Sequence, residues 1–197
     1  MDKLKIGVLA MQGAFVEHEQ MLQSLGCDTV QVRKVEHLAD LDGLIIPGGE
    51  STTIGKLLVD FGLAESVQER AQQGMPVWGT CAGLILMAKE IAGSEQYRLG
   101  LMDITAVRNA FGRQVDSFEV PLAIDEVSSE PYPAIFIRAP FIEKAGPSVK
   151  ILAEHNGKVV MARQGSFLAS AFHPELTQDC RIHAYFMDIV RESRQKA

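Results

Sequence analysis

The sequence predicts an α/β fold, with a central, mostly parallel sheet flanked by helices and turning mixed toward the C-terminal half. Three observations point there. Short apolar runs alternate with helical patterns through the first half of the chain. Several of those runs end in glycine-rich turns that lead straight into a helix. The second half switches to period-two alternation and hairpin signals, which belong to antiparallel strands.

Each element can be justified in order. Residues 4–10 form a short apolar strand. Residues 14–25 have a helical pattern, with Phe15, Leu22 and Leu25 on one face and Gly26 placed to end it. Residues 29–32 read as a second strand, and residues 44–46 as a third, closed by Pro47-Gly48-Gly49. Ser51-Thr52-Thr53 offers N-cap oxygens to a helix carrying Ile54, Leu57, Leu58 and Phe61 at i, i+3, i+4 and i+7. Residues 76–78 give a fourth strand and residues 84–91 a buried helix. Beyond these, Phe118, Val120, Leu122 and Ile124 alternate as in a half-exposed strand, and Pro121 favours an edge position. Residues 151–154 and 159–163 flank His155-Asn156-Gly157-Lys158, whose Asn-Gly marks a hairpin. Residues 166–172 supply another strand, and Ile182, Tyr185, Phe186, Ile189 and Val190 define an amphipathic final helix. With no repeat, low-complexity tract or linker, residues 1–197 read as one domain.

Composition excludes several classes. The chain is 47% apolar and 22% charged, as in ordinary globular proteins. A net charge of −6 argues against nucleic-acid or anionic-membrane partners, which need a basic footprint. No apolar run approaches the ~20 residues of a membrane span. The N-terminal residues lack the regions of a signal peptide, so a cytoplasmic location is expected. Cys27, Cys81 and Cys180 are odd in number and far apart, which fits neither a disulfide framework nor a zinc site. No metal or cofactor is expected.

Chemistry concentrates at three places. Gly79-Thr80-Cys81-Ala82-Gly83 lies between a strand and a helix and has the form G-x-C-x-G, the thiol counterpart of the nucleophile elbow. In that setting the helix N-terminus favours a thiolate on Cys81, and the Ala82 N–H aims at a developing oxyanion. A packed structural cysteine beside permissive glycines is the competing reading. His173-Pro174-Glu175 follows a strand, so its carboxylate can orient the imidazole as in nucleophile–histidine–carboxylate triads. The competing reading there is a turn histidine with a solvated glutamate. The remaining histidines, His18, His37, His155 and His183, read as surface or helix residues. Finally, Pro47-Gly48-Gly49-Glu50-Ser51 allows close backbone approach, with N–H groups for an oxyanion or a carboxylate.

Together, in this order, Pro-Gly-Gly-Glu-Ser, Gly-Thr-Cys-Ala-Gly and Phe-His-Pro-Glu resemble the class I, triad-type glutamine amidotransferases, which have a flavodoxin-like fold. The chain is most similar to their branch of glutaminase subunits of pyridoxal 5′-phosphate synthase, nearly end to end. Further matching stretches are Gln12-Gly13-Ala14, Ser51-Thr52-Thr53, Gly100-Leu101-Met102-Asp103, Arg108-Asn109, Phe111-Gly112-Arg113-Gln114, Asp116-Ser117-Phe118-Glu119 and Phe136-Ile137-Arg138-Ala139-Pro140. The resemblance implies that Cys81 attacks the side-chain amide of L-glutamine, forming a glutamyl thioester, while His173 shuttles protons and Glu175 orients it. It implies an oxyanion hole from Gly48 and Ala82, and contacts to glutamine from Gly49, Glu50, Ser51, Arg108, Ile137 and Arg138. It also implies a separate barrel synthase subunit that activates the glutaminase near Gln12-Gly13 and takes up the ammonia. Phe141, where the family often has histidine, and Ala10-Met11 and Ala169-Ser170-Ala171 depart from the commoner residues.

Other readings stay open on the residues alone. One is an amidotransferase subunit feeding another acceptor. The others are a cysteine peptidase or related hydrolase on a similar scaffold, and an inactive interaction module.

Overall fold

A computed structural model describes residues 3–108 and 117–196. Strands β1 (Lys5–Leu9), β2 (Asp28–Val32), β3 (Gly43–Ile46) and β4 (Val77–Thr80) alternate with helices α1 (Phe15–Ser24), α2 (Ser51–Asp60) and α3 (Leu63–Gln72). Helix α4 (Ala82–Met87) runs directly into β5 (Ala88–Ile91), followed by β6 (Met102–Val107), β7 (Ser117–Ile124), β8 (Ser128–Ile137) and β9 (Phe141–Ala145). The hairpin β10 (Lys150–His155) and β11 (Lys158–Gln164), strand β12 (Phe167–Ser170) and helix α5 (Arg181–Arg194) complete the chain.

Among the described residues the main sheet has the order β2-β1-β3-β4-β12-β11-β9-β6-β5, with β10 beside β11. Strands β2, β1, β3, β4 and β12 are parallel neighbours. β11 and β9 then join antiparallel, as expected of the later half. β1, β3 and β4 are almost wholly buried, because helices cover both faces of a parallel sheet. The placement of β12 matters most. It lies parallel to β4 with Ser170 opposite Thr80, so the residues that follow the two strands emerge at one end of the sheet. Ser170 also accepts the indole N–H of Trp78 at 3.0 Å, which satisfies a buried donor in mid-sheet. β7 and β8 form a separate two-stranded ribbon in which Pro121 faces Pro133, consistent with an edge.

Several expectations need correction. The apolar run at residues 84–91 is not one helix: it ends at Met87, Ala88 turns extended, and the remainder pairs with β6. A continuous apolar run is equally suited to a buried helix and a buried strand. Helix α2 is capped by Glu50, not by the hydroxyls of residues 51–53, and Phe61 at its end is 57% exposed. Helix α3 carries a weaker apolar stripe and was not anticipated. Of the matching stretches, Asn109, Phe111-Gly112-Arg113-Gln114 and Asp116 lie outside the described residues.

Candidate active site

Cys81 sits on the turn between β4 and α4 with φ 48° and ψ −103°, a conformation that a side-chain-bearing residue adopts only when its surroundings hold it there. Its N–H donates to the Ser170 carbonyl at 2.8 Å, which ties the turn to β12. Gly79 and Gly83 make the turn possible. A β-carbon at Gly79 would overlap the Gly83 backbone, and one at Gly83 would overlap the Ile46 carbonyl. The small residues at −2 and +2 are thus required by close approach of the backbone, as the elbow reading expected. Cys81 is 8% exposed, and its thiol lies 3.9 Å from the Ile137 carbonyl oxygen. As a first-turn residue of α4, Ala82 has an N–H with no intrahelical partner.

His173 follows β12 and is fixed by its N–H, which donates to the Ile135 carbonyl on β8 at 2.8 Å. Pro174-Glu175-Leu176 forms one turn of 3-10 helix, bringing the carboxylate back onto the ring: Nδ1 of His173 meets Oε1 of Glu175 at 2.7 Å. Burial alone would lower the His173 pKa. The neighbouring Cys81 and the Glu175 hydrogen bond outweigh it and push the imidazole up to about 10. Burial would raise the Glu175 carboxyl, but His18 and the His173 hydrogen bond hold it below the usual carboxylate range. A thiol, an imidazole and an ionised carboxylate therefore stand in sequence at the carboxyl end of the parallel strands.

The Gly48-Gly49 turn forms the opposite wall. A β-carbon on Gly48 would stand 2.5 Å from the His173 ring and 3.4 Å from Cys81 Cβ. The Gly48 carbonyl accepts the Ala14 N–H at 3.4 Å, while Gln12 Oε1 accepts the Glu50 N–H at 2.8 Å. The segment at residues 12–14 is thus bound directly to this wall.

Cys81, Ala82 and His173 open onto a cavity of about 340 Å³, and Gly49, Glu50, Ser51, Arg108, Ile137 and Arg138 line it as well. Gly48 packs behind the catalytic-type pair and Glu175 lies behind His173. Arg138 enters from the end of β8 with φ 42°, a second strained residue at the same cavity. Glu50 spends its carboxylate locally: it accepts N–H groups from Thr52 at 3.2 Å and Thr53 at 2.7 Å, and pairs with Arg108 at 3.5 Å. Burial would raise its pKa, but these hydrogen bonds outweigh that and lower it.

Sequence reasoning missed three side chains here. Gln96 Oε1 accepts from Arg108 at 2.8 Å, Ser51 at 3.3 Å and Thr52 at 3.4 Å, linking two walls of the cavity. It falls in an irregular segment with no pattern to mark it. His18 and His183 are not surface residues: both are fully buried, with His18 Nδ1 2.9 Å from His183 Nε2 and His18 Nε2 3.4 Å from Glu175 Oε2. The signal existed. His18 falls between Phe15 and Leu22 on the apolar stripe of α1, and His183 between Ile182 and Phe186 on α5. His155, by contrast, is on no helix: it ends β10, half-buried against Phe118 and Phe136.

A thiol on a strained elbow of a parallel sheet, backed by an imidazole–carboxylate pair, is the geometry of thiol-dependent hydrolases and transferases. The chain belongs to the SNO glutamine amidotransferase family, whose model matches residues 8–192. It is 63% identical to the pyridoxal 5′-phosphate synthase subunit PdxT of Carboxydothermus hydrogenoformans, over 95% of this chain and 98% of the relative. To the subunit of the same name from Pelotomaculum thermopropionicum it is 60% identical, over 94% of each chain. A crystal structure described as a glutamine amidotransferase superposes with a TM-score of 0.90 at 48% identity, covering 94% of this chain and 98% of that one.

Proposed function

We propose that this chain is the glutaminase subunit of a pyridoxal 5′-phosphate synthase, hydrolysing L-glutamine to L-glutamate and ammonia. Cys81 attacks the side-chain amide carbon. N–H groups of the Gly48-Gly49 turn and of Ala82 receive the oxyanion, and His173 passes a proton to the departing ammonia. Water, activated by the same imidazole, then cleaves the glutamyl thioester. Glu175 keeps His173 in register and stabilises its charge. Gly49, Glu50, Ser51, Arg108, Ile137 and Arg138 hold the amino acid, with arginine complementing the α-carboxylate and glutamate the α-ammonium.

The observation that carries this reading is the convergence of Cys81 and His173 with Glu50, Arg108 and Arg138 on one cavity of amino-acid size. The names of the relatives support the assignment of the acceptor. A separate barrel subunit takes the ammonia with a pentose phosphate and a triose phosphate, in a cytoplasmic hetero-oligomer. Because the Gly48 carbonyl is tied to Ala14 and Glu50 is tied to Gln12, a partner that contacts residues 12–14 acts on the oxyanion wall.

The test is ammonia release from glutamine by the chain alone, with the synthase subunit, and as Cys81→Ala. The expected result is weak release alone, strong release with the partner and none from the variant. Unchanged turnover in Cys81→Ala overturns the mechanism, and full activity without a partner overturns the coupling.

A further inference from the structure

Behind Cys81, His173 and Glu175 lies a second set of buried polar groups that the mechanism above does not use. Glu175 Oε1 is engaged by His173, but Oε2 is buried and has no hydrogen-bond partner among the described residues. The ring nitrogen facing it is His18 Nε2, at 3.4 Å, which also lies 3.3 Å from Thr80 Oγ1. On its other side His18 Nδ1 meets His183 Nε2 at 2.9 Å, and His183 Nδ1 is buried and unpartnered among the described residues. Trp78 packs edge-on against both rings.

We propose that His18 is a positioning residue for this site, its Nε2–H held against the second oxygen of Glu175 and its tautomer set by His183. The proposal rests on the reading of Cys81, His173 and Glu175 as the reacting set.

Proton counting supports it. An ionised carboxylate only accepts, and burial lowers the pKa of both His18 and His183, so both rings are neutral and carry one proton each. If His18 carried its proton on Nδ1, its bare Nε2 could accept the Thr80 hydroxyl but would still face the carboxylate lone pairs at 3.4 Å. His183 would then bury an N–H with no acceptor. With both protons on Nε2, His183 donates to His18 Nδ1, and His18 presents N–H to Glu175. The atom left unpaired is then a bare His183 nitrogen, with no stranded N–H. The charged and titratable groups facing His18 are Glu175 and His173 beyond β12, Glu17 on its own helix and His183 on α5. Helix α1 thereby braces a carboxylate distant from it in sequence, with α5 behind it through His183.

The test compares His18→Leu, which removes the N–H, with His18→Gln, which restores an amide N–H near the Nε2 position. Both are assayed for ammonia release with the synthase subunit present. His18→Leu is expected to lower kcat by up to about 100-fold through misplacement of the base, with KM unchanged. Its kcat/KM profile should also lose activity at higher pH on the acid side, since Glu175 is then protonated more readily. His18→Gln should recover most of the rate and the profile. Equal losses in both variants with an unmoved acid limb would reduce His18 to packing and overturn the proposal. If His18→Leu does not fold, nitrogen NMR of the unmodified chain decides: protons on Nε2 of both rings support the proposal, and a proton on His18 Nδ1 overturns it. Turnover surviving in Cys81→Ala removes the underlying mechanism. A dead Cys81→Ala beside a fully active His18→Leu removes only the role of His18.

Discussion

The α-carbon of Gly83 rests against the carbonyl of Ile46, so close that a β-carbon would overlap the oxygen. This one contact couples the start of α4 to the end of β3, and so the position of Cys81 to the turn at residues 47–49. Gly83→Ala must push backbone against backbone, since no flexible side chain can yield. We expect a loss of about 1–3 kcal/mol, the usual range for overpacking. Thermal melting would show it as a lowered Tm. Ammonia release should fall by more than the folded fraction does, because the elbow itself moves. A variant that melts normally and turns over normally would contradict this account of the glycine.

The elevated pKa of His173 has a testable pH signature. Burial works against the charged ring, and the neighbouring Cys81 and Glu175 more than offset it, giving about 10 against the ordinary 6.5. Between those values the folded chain holds a proton that the unfolded chain has released. The stabilisation from His173 is therefore complete below pH 6.5 and is lost as pH rises through about 10. Cys81→Ala removes the leading upward cause. Its His173 resonance should titrate at a lower pH, and its urea stability should vary less across this window than that of the unmodified chain. A midpoint unchanged by the substitution would show that Cys81 does not set it.

The elements that carry the proposed chemistry are legible because each has a strong local signature, an apolar strand followed at once by the residues at issue, with glycines at two of the three turns. Tertiary packing does not leave such marks. That β12 would insert beside β4 is a long-range choice, yet it alone brings His173 to Cys81. The apolar run at residues 84–91 divides at Met87 because pairing with β6 wins over helix continuation. Glu50 displaced the expected hydroxyl caps because its longer side chain reaches back to two N–H groups at once. His18 lies on a helix, as expected, but residue type points such a side chain outward while its place on the α1 stripe indicates burial.

Gln96 offers a separation of binding from chemistry. Its carbonyl oxygen holds Arg108 at 2.8 Å, while its Nε2 is buried with no hydrogen-bond partner among the described residues. Gln96→Leu removes an acceptor for a charged donor, an interaction of about 1.5–3 kcal/mol. If Arg108 holds the glutamine carboxylate, KM should rise roughly 10- to 100-fold, at tenfold per 1.4 kcal/mol, with kcat largely kept. Stability should fall by less than that interaction energy, because the unpaired amide leaves with the acceptor. Steady-state kinetics and a melting curve check both halves, and a lowered kcat at constant KM would assign Gln96 to the chemical step.

Gly13 bears on the proposed oxyanion wall from outside the cavity. It has φ +98°, and a β-carbon there would overlap the Gly48 carbonyl oxygen. Gly13→Ala therefore strains its own backbone, by about 1–3 kcal/mol, and displaces the carbonyl that Ala14 holds. Because the peptide is planar and trans, moving that carbonyl swings the Gly49 N–H with it. Losing one oxyanion donor costs about 100- to 1,000-fold in kcat. We expect a fall approaching that range with KM little changed, in the complex as well as in the free chain, because the added carbon blocks the wall directly. Ammonia release measured with saturating synthase subunit is the deciding assay. A normal kcat there would mean that the partner overrides the Gly13–Gly48 contact. In that case residues 12–14 report on the wall without holding it.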